Sequence, residues 1–225
     1  MPKSKKYIGV LGLGSRSTLH YINRLNEIYN QKYLGYSTCP IKLLNANFDQ
    51  INPFLPDRFD KLKPIVKSKL DELNDLGVQN IIVPNITLHE TIDQSDFDSK
   101  DKLIHPIKST IKQLQEKKIS KVVIYGSAYT MTSNYLTGLL GESGIEAIIP
   151  ELADIQVIDD LRTQIYAGVK NNIIFETNLK KYCQFPALVS CTELSLVAKK
   201  FKNQEIFDLA EIQINEAIKN IELAS

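Results

Sequence analysis

Short apolar runs alternate along this chain with longer stretches in which apolar residues recur every three or four positions. The first run ends at Leu11, and a glycine-containing turn leads from it into residues 19–29, which have the spacing of one helix face. Short apolar runs bounded by turn residues predict strands, and the amphipathic stretches predict helices. Strands are predicted at residues 6–11, 40–46, 122–125, 146–149 and 187–189, and a further strand begins at residue 81. Further helices are predicted at residues 59–76, 131–140 and 153–170 and within 204–225.

An internal repeat of strand, turn and helix runs through this pattern. Residues 83–85 (V-P-N) align with residues 189–191 (V-S-C), so that Asn85 falls on Cys191. In a second pair, residues 8–18 align with residues 122–132, which puts Thr18 on Thr132. The two offsets along the chain are similar, which indicates two homologous halves.

Strands that alternate with helices form parallel sheets, and ligands bind near the carboxyl ends of such strands. The sequence therefore predicts an α/β fold of two pseudo-symmetric lobes, each a parallel sheet flanked by helices, with an active-site cleft between them. The expected division is an N-terminal lobe at 1–104, a C-terminal lobe at 105–203, and a helix at 204–225 that packs back on the first lobe.

Cys191 occupies the end of a predicted buried strand and the start of a helix. Thr192 can cap this helix, and Glu193 carries a carboxylate where the helix dipole favours one. A thiol in this place is expected to ionise easily, because backbone N–H groups and the positive end of the dipole stabilise a thiolate. The alternative interpretation is a buried structural cysteine.

The glycine turn from Gly12 to Ser17 has the order G-x-x-G-x-G when read from Gly9, so it lacks the dinucleotide-binding order G-x-G-x-x-G. Binding of a carboxylate by the turn amides at the helix N-terminus is the better prediction.

The composition excludes several classes of partner. With 27 Lys and Arg against 26 Asp and Glu, the net charge of +1 gives no reason to expect nucleic acid or an anionic membrane. No apolar run approaches the roughly 20 residues of a membrane span. Three cysteines do not make a disulfide framework, which favours a reducing cytoplasm, and no spacing of Cys, His and Asp resembles a metal site.

Several motifs together resemble the pyridoxal-phosphate-independent aspartate/glutamate racemase superfamily. The most specific is Ser190-Cys191-Thr192-Glu193, where the family usually has Gly-Cys-Thr-Glu. The glycine turn, the Asn47-Phe48 pair, and the segments 129–131 and 165–170 match further family motifs. Where the family usually has Cys-Asn-Thr, this chain has Asn85-Ile86-Thr87, so one of the two catalytic cysteines is replaced.

The resemblance implies an isomerase of amino-acid metabolism that needs no cofactor and no metal and binds a small carboxylate or amino acid, with a homodimer as a candidate assembly. It implies that Cys191 and the Asn85 position are the catalytic pair, with His89 as an auxiliary residue. The Arg of Pro56-Asp57-Arg58 would hold a distal carboxylate by two hydrogen bonds, although a surface arginine is the alternative. The implied substrate-binding residues are Gly12, Ser15, Asn47, Arg58, Ile86, Thr87, Thr130, Lys170, Thr192 and Glu193.

Three functions stay open at this point. The first is an amino-acid racemase or epimerase in which Cys191 carries one proton, and a water held by Asn85, Thr87 or His89 replaces the lost thiol. The second is a single-cysteine decarboxylase or isomerase of the same superfamily, which delivers a proton to one face only. The third is a non-catalytic carboxylate-binding homologue.

Overall fold

The computed structural model of the protein describes residues 6–169, 173–198, 201 and 204–223. The chain divides into two compact units. Unit 1 runs to His105 and resumes at Gln213, and unit 2 runs from Pro106 to Ile212.

Unit 1 is built on a parallel sheet whose strand order is β2-β1-β3. Gly12 at the end of one strand is paired with Asn45 at the end of the next, so the carboxyl ends of these strands meet at one edge. Short 3₁₀ turns lie at Phe48–Gln50, Asn52–Phe54 and Asp98–Lys102. The strands and helices are β1 (Ile8–Gly12), α1 (Ser15–Tyr33), β2 (Ile41–Asn45), α2 (Phe59–Asp75), β3 (Asn80–Ile82) and α3 (Leu88–Asp93).

Helix α2 shows how the apolar periodicity becomes packing in unit 1. Its residues Leu62, Val66, Leu70 and Leu73 recur every three or four positions and are all buried. Burying an aliphatic side chain of this size contributes roughly 1.5–3 kcal/mol, so this stripe is a main source of the stability of the unit. The glycine that follows the helix, Gly77, has a φ of +69°, which allows the chain to turn back into β3.

Unit 2 is built on a second parallel sheet, with strand order β5-β4-β6-β7. Its elements are α4 (Pro106–Glu116), β4 (Lys121–Tyr125), α5 (Ala128–Thr132), α6 (Asn134–Glu142), β5 (Glu146–Ile148), α7 (Leu152–Tyr166), α8 (Ile173–Lys181), β6 (Ala187–Val189), α9 (Thr192–Ala198) and β7 (Ile206–Asp208). The C-terminal helix α10 (Leu209–Leu223) begins in this unit and continues into unit 1.

Each unit thus consists of a parallel sheet flanked by helices, as the alternating pattern predicted. Within the part of the chain that the structure describes, no helix is both long enough and apolar enough to cross a bilayer.

Two secondary-structure predictions were wrong in detail. Ile206–Asp208 was predicted to belong to the C-terminal helix, but it forms β7, because its backbone pairs with Ala187–Val189 of β6. Two of its three residues are Ile and Phe, which favour strands wherever a partner strand is available. The helix predicted at 153–170 ends at Tyr166, and Gly168, with a φ of +101°, follows its last turn.

The last part of α10 is held within unit 1 by buried polar contacts. Gln213 donates from Nε2 to the carbonyl oxygen of Ile104 at 2.6 Å, and its Oε1 accepts from the Tyr21 hydroxyl at 2.8 Å. Further along the helix, Asn80 Nδ2 donates to the Ala217 carbonyl oxygen at 3.1 Å. Because buried polar groups are costly when unpaired, these bonds fix the position of the helix in the unit.

Candidate functional site

The glycine turn of unit 1 is close-packed. A Cβ atom on Gly12 would lie 2.7 Å from Asn45 Oδ1 and 2.9 Å from Thr18 Cγ2, so no larger residue fits there. The Leu13 backbone N–H donates to Thr18 Oγ1 at 3.1 Å. This amide, which the sequence suggested for binding a carboxylate, is therefore already paired inside the turn. Ser15 is the first residue of α1 and is exposed.

Asn85 lies between β3 and α3 and caps that helix. Its Oδ1 accepts from the Leu88 backbone N–H at 3.0 Å, and its own N–H donates to the Val83 carbonyl at 2.7 Å. Its side chain is partly buried, as is that of Thr87, and Ile86 between them is buried. The Asn85 side-chain oxygen is thus used to start a helix, which is a common role of asparagine.

His89 is the second residue of α3 and is fully buried. Its Nδ1 lies 2.9 Å from the Asn85 carbonyl oxygen, and because a carbonyl can only accept, Nδ1 carries the proton. Burial, followed by the neighbouring His105 ring at 5.1 Å between centroids, lowers the pKa of His89 to about 3. The ring is neutral near pH 7, so His89 orients Asn85 and has no second ring proton to give to a substrate.

Two further predicted residues of unit 1 lie on its surface. Asn47 is exposed, and its Oδ1 accepts from the Asp49 N–H at 3.1 Å, which caps a 3₁₀ turn. The Arg58 side chain is 59% exposed, and its Nε lies 3.7 Å from Asp60 Oδ1. An exposed pair of this kind contributes little to stability. The surroundings of Arg58 agree with the alternative prediction, a surface arginine.

Cys191 lies between β6 and α9, as predicted, but its thiol has the opposite tendency from the one predicted. Its Sγ–H donates to Glu193 Oε2 at 2.8 Å, and Thr192 Oγ1 donates to the same oxygen at 3.3 Å. Burial, then the charge of Glu193 and this hydrogen bond, raise the pKa of Cys191 well above that of an ordinary thiol. The Arg162 guanidinium lowers this pKa, but not enough to reverse the shift. The prediction that the helix N-terminus makes Cys191 a thiolate was wrong, because desolvation and an adjacent carboxylate outweigh the helix dipole.

The turn after β4 packs against the Cys191 segment. A Cβ atom on Gly126 would lie 2.5 Å from Ser190 Oγ and 3.2 Å from Thr130 Cβ. Thr130 is buried, and its Oγ1 lies 2.8 Å from the hydroxyl of Ser127, the residue that caps α5. The threonine that contacts this glycine is therefore Thr130, as Thr18 contacts Gly12. The contact that Thr18 makes in unit 1 is thus made in unit 2 by Thr130, and not by Thr132, with which the sequence repeat aligned Thr18.

The sequence reading missed Arg162 in α7, a helix that packs against α9. Asp159 Oδ1 accepts from Arg162 Nε at 2.8 Å and from the Ala128 backbone N–H at 3.2 Å, so one carboxylate anchors both groups. Arg162 acts on the pKa of Cys191, which indicates that its charge lies close to the thiol. The i,i+3 spacing of Asp159 and Arg162 is visible in the sequence, but an ion pair of this kind occurs on many helices.

Lys170, the substrate-facing lysine implied by the resemblance, lies outside the described residues. Among the residues that are described, no group of three or more His, Cys, Asp or Glu side chains could hold a metal ion.

No protein-family model matches the sequence. Solved structures match it over nearly its whole length. A candidate Asp/Glu racemase from Yersinia pestis has a TM-score of 0.82 at 22% identity and covers 96% of this chain and 99% of its own. An aspartate racemase homologue from Pyrococcus horikoshii has a TM-score of 0.83 at 22% identity, with 97% and 99% covered. Glutamate racemase from Francisella tularensis, in complex with D-glutamate, has a TM-score of 0.67 at 13% identity, with 98% and 82% covered. This chain therefore has the fold of the aspartate and glutamate racemases.

Proposed function

We propose that this protein is a cofactor-independent isomerase of the racemase or epimerase type. It acts at the α-carbon of an acidic amino acid or a similar carboxylate, with Cys191 as the proton carrier. The observation that carries the proposal is the hydrogen bond from the Cys191 thiol to Glu193 Oε2 at 2.8 Å, at a strand–helix junction of a racemase fold. A thiol beside a carboxylate can both release and recover a proton, which is the chemistry that exchange at an α-carbon requires.

The raised pKa of Cys191 decides the resting form of this group. The thiol is protonated near neutral pH and can give its proton to a carbanion. In the abstraction direction, the thiol proton passes to Glu193 Oε2, and the thiolate then takes the α-proton of the substrate, which restores the S–H bond and leaves a carbanion. The same thiol or a water molecule returns a proton to that carbanion.

The carbanion forms beside a substrate carboxylate, which must be stabilised by donors and positive charge. Arg162 is suited to this role, because Asp159 fixes its Nε, and its other guanidinium nitrogens have no hydrogen bond to any residue described in the structure. The Thr192 and Thr87 hydroxyls are further candidates, as the family resemblance implies. Gly12, Ser15, Asn47, Arg58, Ile86, Thr130 and Lys170 stay predicted substrate-binding positions.

A second candidate, a single-cysteine decarboxylase or isomerase, is favoured by the arrangement around Asn85. A primary amide neither takes up nor releases a proton near neutral pH, and the Asn85 oxygen already accepts a hydrogen bond from the Leu88 N–H. The neighbouring His89 is neutral, and its one ring N–H, at Nδ1, donates to the Asn85 carbonyl oxygen. Protonation of the second face of a substrate would therefore depend on water, whereas an enzyme that protonates one face needs Cys191 alone.

Exchange of the α-proton for deuterium, followed by NMR, tests the proposal and separates these candidates. The panel contains the L- and D-forms of aspartate, glutamate and neutral amino acids, together with simple dicarboxylates. Exchange with inversion supports the racemase, and exchange with retention, absent in Cys191→Ala, supports a one-base enzyme. No exchange with any compound, together with binding of one of them, would favour the non-catalytic homologue.

A further inference from the structure

Strand β7 brings a buried carboxylate next to the segment that carries Cys191. The parallel pairing of β6 and β7 puts Val189 opposite Asp208, so the residues that follow Val189 leave the sheet beside Asp208. Asp208 is 7% exposed and directly precedes α10. Its Oδ1 accepts from the Ala210 backbone N–H at 2.9 Å, which gives it the role of a helix cap.

A hydrogen-bonded chain leads from Asp208 to Cys191. Ser195 Oγ lies 2.8 Å from Asp208 Oδ1 and 3.2 Å from the Cys191 carbonyl oxygen. The Ser195 backbone N–H donates to the same carbonyl at 3.1 Å. Ser195 therefore holds the Cys191 peptide from two atoms, and Asp208 fixes the rotamer of the Ser195 side chain. Because the direction of the Cα–Cβ bond follows from the backbone, this hold sets where the Cys191 thiol points.

The Ser195 hydroxyl has one proton for two acceptors, and Asp208 decides which acceptor receives it. When Asp208 is ionised, the hydroxyl donates to its carboxylate. When Asp208 is protonated, its oxygen becomes a weaker acceptor, so the Ser195 hydroxyl can turn its proton to the Cys191 carbonyl oxygen instead. Burial, with a smaller effect of the nearby Glu211, raises the pKa of Asp208 to about 6, although the bond from Ser195 opposes this shift.

Capping α10 does not by itself explain an aspartate at this position. Among the described residues, Asp208 Oδ2 is buried and has no hydrogen-bond partner. A buried carboxylate with an unpaired oxygen destabilises the folded state, and serine would cap the helix without a second polar atom to bury. A group retained at a cost to stability calls for a functional reason.

Unit 1 contains the same arrangement with different side chains. Leu103 forms a parallel bridge with Ile81 of β3, and continuing this register by two residues puts His105 opposite Val83. His105 directly precedes α4, as Asp208 precedes α10, and its ring contacts His89. The His89 side chain contacts the Asn85 carbonyl four residues earlier, as the Ser195 side chain contacts that of Cys191. In both units, therefore, a side chain four residues further on holds the carbonyl of the candidate catalytic position, and the residue that precedes the next helix contacts that side chain.

We propose that Asp208 is a positioning residue that acts through Ser195 to orient Cys191. The role in turnover rests on the proposed function, whereas the effect on the thiol itself does not. The first measurement is therefore the rate at which iodoacetamide alkylates Cys191, relative to the exposed Cys183 of the same molecule, from pH 5 to pH 9. The second is α-proton exchange with the best compound of the panel.

The test uses the full chain and four variants. Ser195→Ala removes the hydroxyl that links Asp208 to Cys191, and Ser195→Thr retains a hydroxyl. Asp208→Asn keeps an oxygen that can accept hydrogen bonds and cap α10, but it has no carboxyl group to titrate. Thr110→Val is the matched control, because the buried Thr110 hydroxyl makes a similar bond to a carbonyl four residues earlier, that of Pro106, at 2.8 Å in α4.

We expect Ser195→Ala to change the ratio of Cys191 to Cys183 labelling by about 3- to 10-fold, which is the value of one hydrogen bond of about 1 kcal/mol. Ser195→Thr restores the ratio, and Thr110→Val leaves it unchanged. The wild-type ratio shows a step near pH 6, and this step is absent in Asp208→Asn. The kcat for exchange falls by a similar factor in Ser195→Ala, with little change in KM. The melting temperature of Asp208→Asn at pH 7.5 is not below that of the wild type.

Wild-type labelling ratios and an unshifted pH profile in both Ser195→Ala and Asp208→Asn would overturn the proposal. Loss of cooperative unfolding in all three site variants would also overturn it, because the pair would then serve stability alone. If the variants change the labelling ratio but the wild type exchanges no α-proton, the positioning role is supported and the proposed function is contradicted.

Discussion

The two strand–helix junctions of this protein have the same backbone design and different chemistry. In unit 1, His89 bonds the carbonyl of Asn85 four residues earlier. In unit 2, Ser195 bonds the carbonyl of Cys191 at the same spacing. The position before the helix is thus held in the same way in both units, although one unit presents an amide and the other a thiol.

The difference lies in what each side chain does for its own helix. Asn85 Oδ1 accepts the Leu88 N–H, and such a cap contributes about 1 kcal/mol. Cys191 makes no comparable cap and instead donates its proton to Glu193. The comparison teaches that the Asn85 side chain serves its own helix, whereas the Cys191 side chain keeps a proton that it can give away. Under the proposed function, proton transfer is therefore expected from Cys191 alone.

The largest effect is expected from removing the thiol. Cys191→Ala should lower the rate of α-proton exchange by about 10²–10⁴, the usual contribution of a general acid or base. Cys183→Ala is the control, because Cys183 is an exposed cysteine of the same unit. The measurement is the NMR exchange rate with the best substrate. Exchange in Cys191→Ala at the wild-type rate would show that Cys191 is not the proton carrier.

The Glu193 carboxylate should affect thiol acidity and turnover in opposite directions. Glu193→Gln removes a charge that raises the pKa of Cys191, so alkylation of Cys191 near pH 7 should become faster. Exchange should become slower by about 10- to 100-fold, because Gln cannot accept the thiol proton.

The neighbouring arginine gives this experiment its counterpart. Arg162→Gln should slow alkylation of Cys191, because Arg162 lowers the pKa of that thiol. Glu205→Gln on the surface is the control and should leave the alkylation rate unchanged. Slower alkylation in Glu193→Gln would contradict the described arrangement.

His89 should make the stability of the protein sensitive to acid. Its pKa of about 3 in the folded protein lies below the ordinary histidine value of 6.5, so the unfolded chain binds the proton first as the pH falls. The contribution of a neutral His89 is complete above pH 6.5 and is lost progressively from there down to about pH 3. Between pH 6.5 and 4.5 this loss is roughly 2.5 kcal/mol in the free energy of unfolding.

Urea unfolding of the wild type and His89→Gln at these two pH values measures this loss. The variant has no titrating ring at this position, so it should lose less stability over the same range. Parallel losses in the two proteins would show that His89 is not held neutral.

The smallest expected effect comes from restoring the second thiol. Asn85→Cys should raise the ratio of inversion to retention by about tenfold, since a proton carrier is then available at the unit 1 junction. The loss of the cap should lower the free energy of unfolding by about 0.5–2 kcal/mol. Asn85→Ser is the matched control, because serine can cap the helix but its hydroxyl is too weak an acid to act as a proton carrier near neutral pH. An unchanged ratio in Asn85→Cys would indicate that the thiol does not reach the substrate.

Local sequence was enough to predict much of the fold and the position of Cys191 at a strand end. The apolar runs and amphipathic stretches defined the strands and helices, because a continuous apolar run and a 3.6-residue period are both properties of neighbouring residues. The same local reading found Cys191 at a strand end and Asn85 at the equivalent place. It failed at β7, because whether Ile206–Asp208 becomes strand or helix depends on pairing with β6, which is distant in the sequence.

Tertiary structure alone decided the chemical character of these residues. The sequence predicted a thiolate at Cys191 from its helix N-terminus, but desolvation and the position of Glu193 keep the proton on the sulfur. Burial against His105 makes His89 neutral, and the adjacent ends of β6 and β7 bring Asp208 to Ser195. The physical reason is that a pKa depends on the solvent and charges around a group, and folding brings these together from distant parts of the chain.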